Sequence, residues 1–508
     1  MVQFFNKELM KKLVFSLLLA SLFSFLNSCR EPQQTPSAQT GFAEVTSYKS
    51  LKNFCREAAK ASEHLEMEVF GQSVEGRDLL VMKAGNSNAT QQEKEKLRVL
   101  LFAQQHGNEQ SGKEAALLLV RDIANGHYQD WFDQMELWIV PQVNPDGGEI
   151  NQRRNALDID LNRDHVVQQA PETRALHELF HRFLPHVTID VHEYQPYRQS
   201  WESFGAFKDF DVQVGVNTNP NIDEAIRDFS LEKALPFLEN HLAEEGYSFH
   251  NYLVGPVPAE GRTRHSTVDI DDGRQGFGIM NTMAFIFEGK NGRDGFVENL
   301  ERRSLSQAHA MAGLMDFLFQ HQSAIISMVN QGRENLRKGR TGEMTAIRME
   351  HFPGNEPLEL SLVSAVTGQD TLVLVEDYHP VVKPTFFVAN PKGYLLPVED
   401  TLLMRWMDVH RLESENKTPS GTTVYSYRLL EINRRVDEEL ENYFPVVEKS
   451  IVDISDREDQ YIFVPISQLK GNFLVLTLEP QSQIGLVQYP MFSYLLHEDG
   501  VFPVLRVE

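Results

Sequence analysis

Cysteine is nearly absent: Cys29 and Cys55 are the only two in 508 residues. Two thiols cannot build a disulfide framework or a thiolate metal cluster, so apolar packing must hold the fold. Positive charge is also short. Lys and Arg number 48 against 72 Asp and Glu, leaving a formal net charge of -24. Binding nucleic acid requires a basic footprint to displace counterions, and this composition excludes it. The acidity serves solubility instead. The N-terminal apolar run, Leu13 to Leu26, is too short to span a bilayer.

Hydrophobic residues make up 41% of the chain, enough to fill cores. The length exceeds one ordinary core and predicts two domains with appendages. Lys7, Lys11 and Lys12 precede the apolar run, so residues 1–28 read as a signal peptide. The run ends in Leu26-Asn27-Ser28-Cys29, which resembles a bacterial lipobox. That resemblance implies cleavage before Cys29, acylation of its thiol, and membrane attachment through lipid chains rather than a helix. The implied address is the bacterial cell envelope, periplasmic or surface-exposed. Residues 29–45 lack apolar periodicity and read as a lipidated tether. Cys55 falls in a polar, helical-looking stretch as a half-buried bystander.

Further on, Leu65, Met67 and Val69 alternate with polar residues, and Leu79 to Lys83 reads as the partner strand. Leu97 to Ala103, Met135 to Pro141, Val187 to Val191 and Met283 to Phe287 are nearly all apolar, as strands covered on both faces are. Helical stretches separate them at Gly112 to Ala124, Glu172 to Leu184 and Asp228 to Glu245, with another at Ser306 to Met328. The pattern predicts an α/β fold: a mixed, centrally parallel sheet sandwiched by helices, spanning residues 46–325. A linker follows at 326–343, its Arg333, Arg337, Lys338 and Arg340 read as solvated. A smaller, mainly β C-terminal domain then covers 344–508. Its strands are placed at Leu358 to Val363, Thr371 to Val375, Thr385 to Val388, Tyr461 to Val464 and Phe473 to Leu478, with a short helix at Val436 to Asn442.

The chemistry gathers where buried strands end. His106-Gly107-Asn108-Glu109 follows the first of them, and an imidazole and a carboxylate three residues apart suit Zn²⁺. The pair alone is weak, because His-x-x-Glu recurs by chance. Gly107-x-x-x-x-Gly112-Lys113 mimics a phosphate-binding loop, but Glu114 stands where Mg²⁺ coordination needs Ser or Thr. The nucleotide reading is therefore rejected. His192 closes the strand Val187 to Val191 and could supply a third ligand. Glu288 follows Phe285-Ile286-Phe287, where a partly desolvated carboxylate suits general-base work on water. The stretch Arg153 to Asp164 adds arginine forks, which match carboxylates in geometry.

Together these segments resemble the M14 zinc carboxypeptidases. The likeness is carried by Asn144-Pro145-Asp146-Gly147, Arg153-x-Asn155-Ala156, Asp160-Leu161-Asn162-Arg163, His106-x-x-Glu109, Asp190-x-His192 and Glu288, and it covers roughly Tyr48 to Leu318. It implies that His106, Glu109 and His192 bind one Zn²⁺ per chain. Arg153 would polarise the scissile carbonyl, with Arg154 as the alternative. Asn162 and Arg163 would clamp the terminal carboxylate of a peptide substrate, and Asp160 would fix the tautomer of His106. Glu288 would activate water and protonate the leaving amine. Four departures stand out: Asp158 replaces a usual Gly, His165 an aromatic, and Asn108 an Arg, while no Tyr falls near Arg264 to Val268. Peptides are the implied substrate. Envelope muropeptides ending in diaminopimelate, small acylated amino acids, and a catalytically silent zinc-binding lipoprotein are the other readings.

Overall fold

The computed structural model describes residues 33–85, 95–258, 260–437, 440–497 and 500–508. The signal-peptide segment and Cys29 lie outside these residues. Thr35–Glu508 form one unit. Among the described residues no helix is long and apolar enough to cross a membrane.

Eight strands make the central sheet: β1 (Leu65–Gln72), β2 (Asp78–Ala84), β3 (Leu97–Ala103), β4 (Met135–Val140), β5 (Val187–Tyr194), β6 (Val212–Val216), β7 (Phe249–Asn251) and β8 (Met283–Lys290). Their spatial order is β1-β2-β4-β3-β5-β8-β6-β7. The run β4-β3-β5-β8 is parallel; β1 with β2, β2 with β4 and β6 with β8 pair antiparallel, and β7 pairs in parallel with β6. The mixed, centrally parallel sheet follows the apolar runs, since strands covered on both faces need no alternation.

Alternate residues of β3 feed two cores. Val99 and Leu101 face α1 (Tyr48–Ala61), α2 (Gln110–Ala124) and α5 (Leu300–Arg337). Leu100 and Phe102 face α3 (Pro171–Phe183) and α4 (Gly273–Gly278). That second core also takes in Trp406, Phe473 and Leu474, so the residues after 344 pack directly on the sheet's far side. They are β-rich: a five-stranded sheet contains the long hairpin Val424–Asp437 and Leu440–Ile451. Beneath it Glu479 is buried and accepts from Tyr394 at 2.8 Å and Tyr427 at 2.9 Å, while also pairing with Arg506.

Several expectations need correction. Residues 35–45 are not an extended tether: Thr35 caps the helix Pro36–Gln39, and Thr35, Ser37 and Thr46 are buried. Cys55 is fully buried rather than half-buried, and burial pushes its thiol up to about 12. The stretch 326–343 is helical through Arg337, because α5 runs on for 38 residues. Arg333 is not solvated; it is buried and donates to Thr282 Oγ1 at 2.8 Å and Leu184 O at 3.3 Å. Gly471–Leu478 is a helix, not a strand, since an apolar run buried on all sides carries no period to tell the two apart. Residues 436–437 and 440–442 are strand rather than helix, held by the hairpin's cross-strand ladder. Lys113 of the phosphate-loop look-alike is buried and donates to Thr46 O at 2.7 Å. Beside it, Thr46 donates twice to Glu114, which is why that spacing carries no nucleotide chemistry.

Candidate active site

The parallel strands β3, β5 and β8 end side by side, and the site forms beyond their C-terminal ends. His192 in β5 pairs in register with Glu288 in β8, and Ala103, last in β3, pairs with Val191. His106 and Glu109 lie in the turn between β3 and α2. Two backbone features hold that turn. Gln104 takes a positive φ of 57°, and Gly107 approaches the neighbouring loop so closely that a Cβ there would lie 2.2 Å from the carbonyl carbon of Gly147. Only glycine permits that approach.

His106, Glu109 and His192 converge, with their ligand atoms within 4.8 Å of one another, and all three are buried. Glu109 offers one oxygen 2.8 Å from His106 Nδ1 and the other 2.8 Å from His192 Nδ1. The two Nδ1 atoms are 3.1 Å apart. Behind them, His106 Nε2 lies 2.9 Å from Asp160 and His192 Nε2 2.8 Å from Asp190. Asp160 and Asp190 can each accept the Nε2 proton, and a cation held between the two Nδ1 atoms and Glu109 would take the place of any proton on the Nδ1 side. Two imidazole nitrogens and a carboxylate then face one point. A cation satisfies that arrangement, and two nitrogens with one oxygen suit Zn²⁺ with a further position open.

The charges agree. Burial alone would raise the Glu109 carboxyl, but His106 and His192 hold it far below the usual range. Burial alone would lower His192, and Asp190 and Glu109 more than reverse that. Burial raises Glu288 to about 6; His192 opposes the rise, Glu109 adds to it, and the Tyr252 hydroxyl opposes it.

The structure brings Arg153 to this cluster and leaves Arg154 outside it. Arg153 donates to Asp160 at 3.0 Å and reaches Glu109 at 3.5 Å. Arg154 points outward to the carbonyl of Asp158 at 2.8 Å. Asp158 itself sits at φ 60°, the left-handed conformation that glycine adopts freely. Asn162 is buried, its carbonyl oxygen accepting from Gly273 N at 2.7 Å and Gln105 at 3.0 Å. Its side chain thus ties α4 to the ligand turn. Arg163 is exposed and donates to Asn162 O at 2.6 Å; desolvation lowers its guanidinium, and Asp271, Asp160, Asp272 and Asp269 more than reverse that. His165 bonds Gln105 at 2.9 Å and His177 at 3.0 Å, so it packs behind the site.

The sequence assigns no role to Asp190, although Asp190-x-His192 carries part of the resemblance, nor to Gln105 or Tyr252. Asp190 was signalled, because residues two apart in a strand share a face and His192 is its neighbour there. Gln105 donates to both Asp190 oxygens, at 3.0 and 2.9 Å. Tyr252 faces Glu288 from 36 residues upstream, a spacing with no local signal.

A buried His-Glu-His set at the C-terminal edge of a mixed sheet defines an α/β domain with a mononuclear zinc site. Residues 51–198 match the family model of the zinc carboxypeptidases, Peptidase M14. Carboxypeptidase 2 of Trichophyton rubrum is 30% identical over 283 residues, covering 52% of this chain and 51% of that protein. Carboxypeptidase 2 of Trichophyton tonsurans is 28% identical over 309 residues, covering 58% and 56%. A metallo-carboxypeptidase structure from Burkholderia cenocepacia aligns with a TM-score of 0.41 at 17% identity, over 53% of this chain and 69% of that one. The chain spans about half the length of the curated relatives it matches.

Proposed function

We propose that this chain is a zinc-dependent carboxypeptidase that hydrolyses the C-terminal bond of peptides. The observation that carries this is the convergence of His106, Glu109 and His192 next to Glu288, with Arg153 and Arg163 on the same side. Zn²⁺ bound there supplies a Lewis acid and an acidified water. Asp160 and Asp190 orient the two imidazoles. Glu288, raised by burial to about 6, holds a proton loosely enough to take it from water and return it to the leaving amine. Arg153, half-exposed beside Glu109, is placed to hold the carbonyl oxygen as charge develops on it. Arg163 pairs with the free terminal carboxylate, which makes the enzyme an exopeptidase.

Purified protein loaded with zinc is expected to release terminal amino acids from a peptide panel. A chelator should stop this, and Glu288→Gln should lower kcat by at least a thousandfold while zinc stays bound. A fully active Glu288→Gln would overturn the reading. The basic start, apolar run and Leu26-Asn27-Ser28-Cys29 support an envelope address with acylation at Cys29. Labelling with a radioactive fatty acid, lost in Cys29→Ala, tests it.

A further inference from the structure

Behind Asp190 the hydrogen bonds continue to two further rings. Gln105 Nε2 lies 3.0 and 2.9 Å from the Asp190 oxygens and 3.0 Å from Asn162 Oδ1. All three are acceptors, since Gly273 N donates to the same Asn162 atom at 2.7 Å. The amide nitrogen of Gln105 therefore faces Asp190, and its oxygen faces His165 Nε2 at 2.9 Å. His165 Nδ1 lies 3.0 Å from Nε2 of His177 on α3. At the other end, Asp190 lies 2.8 Å from His192 Nε2. One line of contacts thus runs from His177 through His165, Gln105 and Asp190 to the ligand His192, and every member is buried.

Each direction along this line follows from the one before. Burial keeps both rings neutral, holding His165 at about 4 and His177 well below its usual value. The Gln105 oxygen can only accept, so His165 carries its proton on Nε2 and a lone pair on Nδ1. His177 must then donate from Nε2, which leaves a lone pair on its own Nδ1. Among the described residues that atom has no partner. The rings of Phe277 and His410 flank His177 instead, at centroid distances of 4.8 and 6.0 Å. A buried nitrogen without a partner is destabilising. Phe180 and Phe277, stacked at 4.3 Å in the same layer, show that phenyl rings fit there. Packing alone would be better served by phenylalanine at 165 and 177. What the imidazoles add is a fixed donor to Gln105, without which its amide is free to turn. A turned amide would set oxygen against the Asp190 carboxylate and loosen the anchor of His192.

We propose that His165 is a positioning residue for the zinc ligand His192: with its proton kept on Nε2 by His177, it fixes the amide of Gln105, and through that amide Asp190 and the orientation of the His192 ring. The proposal rests on the zinc site of the carboxypeptidase reading and is independent of which peptide is cleaved.

The test strips the full chain of metal, titrates it with zinc against a chromophoric chelator, and in parallel reloads it with Co²⁺, whose visible bands report ligand geometry. His165→Phe keeps a ring and removes the donor. It is expected to weaken zinc binding about tenfold, the lower end for a lost partner of a ligating histidine. The cobalt bands should shift, while the melting temperature without metal stays level or rises. His165→Gln, whose amide nitrogen can stand in for Nε2, should bring affinity and bands back toward the parent's. His177→Phe leaves the donor but frees its tautomer, so its loss should be smaller; it carries the test if His165→Phe does not fold. A double variant fixes the route. If His165 acts through Asp190, then His165→Phe with Asp190→Asn binds zinc no more weakly than Asp190→Asn alone. Losses that multiply, a loss that His165→Gln does not relieve, or zinc affinity and cobalt bands unmoved in His165→Phe overturn the proposal. Neither readout needs a substrate, so a chain that binds metal in this pattern but cleaves no peptide overturns only the hydrolase reading.

Discussion

Arg303 and Glu193 form a buried ion pair at 2.7 Å directly behind the candidate zinc ligands. Glu193 also accepts from Ser111 N at 3.1 Å, and its own N–H donates to Glu109 Oε2 at 3.1 Å. The helix α5 thus reaches the ligand Glu109 through one residue. Removing the arginine strands a buried carboxylate, which costs about 3–5 kcal/mol. Arg303→Met is expected to lose that much in urea unfolding. The double variant with Glu193→Gln should regain part of it, because the unpaired charge is then gone.

The ligand turn depends on backbone contact between Gly107 and Gly147. A methyl group at 107 would meet three backbone atoms within 2.5 Å, none at the end of a flexible side chain. Gly107→Ala must push the two loops apart and displace His106 and Glu109. Zinc affinity, measured by competition with a chromophoric chelator, is expected to fall at least tenfold. Unchanged affinity would show that the turn can yield without moving its ligands.

Asp160 and Asp190 act on zinc through the imidazoles they orient. Asp160→Asn and Asp190→Asn should each weaken zinc binding about 10- to 100-fold, as loss of such partners does elsewhere. The chelator competition assay separates this from folding if both variants keep the parent's melting temperature without metal. Asp160→Asn also frees Arg153, so it should lose more in kcat/KM than in zinc affinity, whereas Asp190→Asn should lose in parallel.

Buried histidines set the acid limit. Burial holds His165, His265 and His351 down to about 4 and His186 to about 3. Each folded-state value lies below the unfolded one, so below about pH 6.5 the unfolded chain takes up protons that the native state refuses. The stability they contribute is fully present above pH 6.5 and drains away as pH falls from there toward 4. Each group accounts for about 1.4 kcal/mol per pH unit in that window. The melting temperature should drop by on the order of 10 °C between pH 7 and 5. A flat profile over that range would mean that these rings protonate in place.

The sequence made the site legible where chemistry and burial coincide. Strands buried on both faces announce themselves as apolar runs, so β3, β5 and β8 and the residues at their ends could be read in order. Asp190 could have been added by the two-residue period of a strand. Tyr252 could not, because its approach to Glu288 depends on β6 and β8 pairing antiparallel, which no local pattern encodes. The C-terminal region was partly legible: Leu358–Ser364 and Tyr461–Pro465 show strand composition, whereas Gly471–Leu478 is apolar on every side and hides its period. Arg333 looked solvated because charge usually is; only tertiary structure brings the carbonyls of residues 184 and 185 to it.

The strand pairings of Thr263–His265 with Tyr378–His379, and of Ala206–Phe207 with Leu358–Ser364, stitch the tail to loops on the sheet's active edge. The tail is therefore not a cargo that can be trimmed for convenience. A shortened expression clone ending near residue 343 would leave those loop edges bare and strip from the second core the part that Trp406, Phe473 and Leu474 fill. Grafting a relative's tail in its place would transplant a different rim onto the same zinc ligands, giving evolution and engineers one handle on the mouth of the site that leaves its chemistry intact.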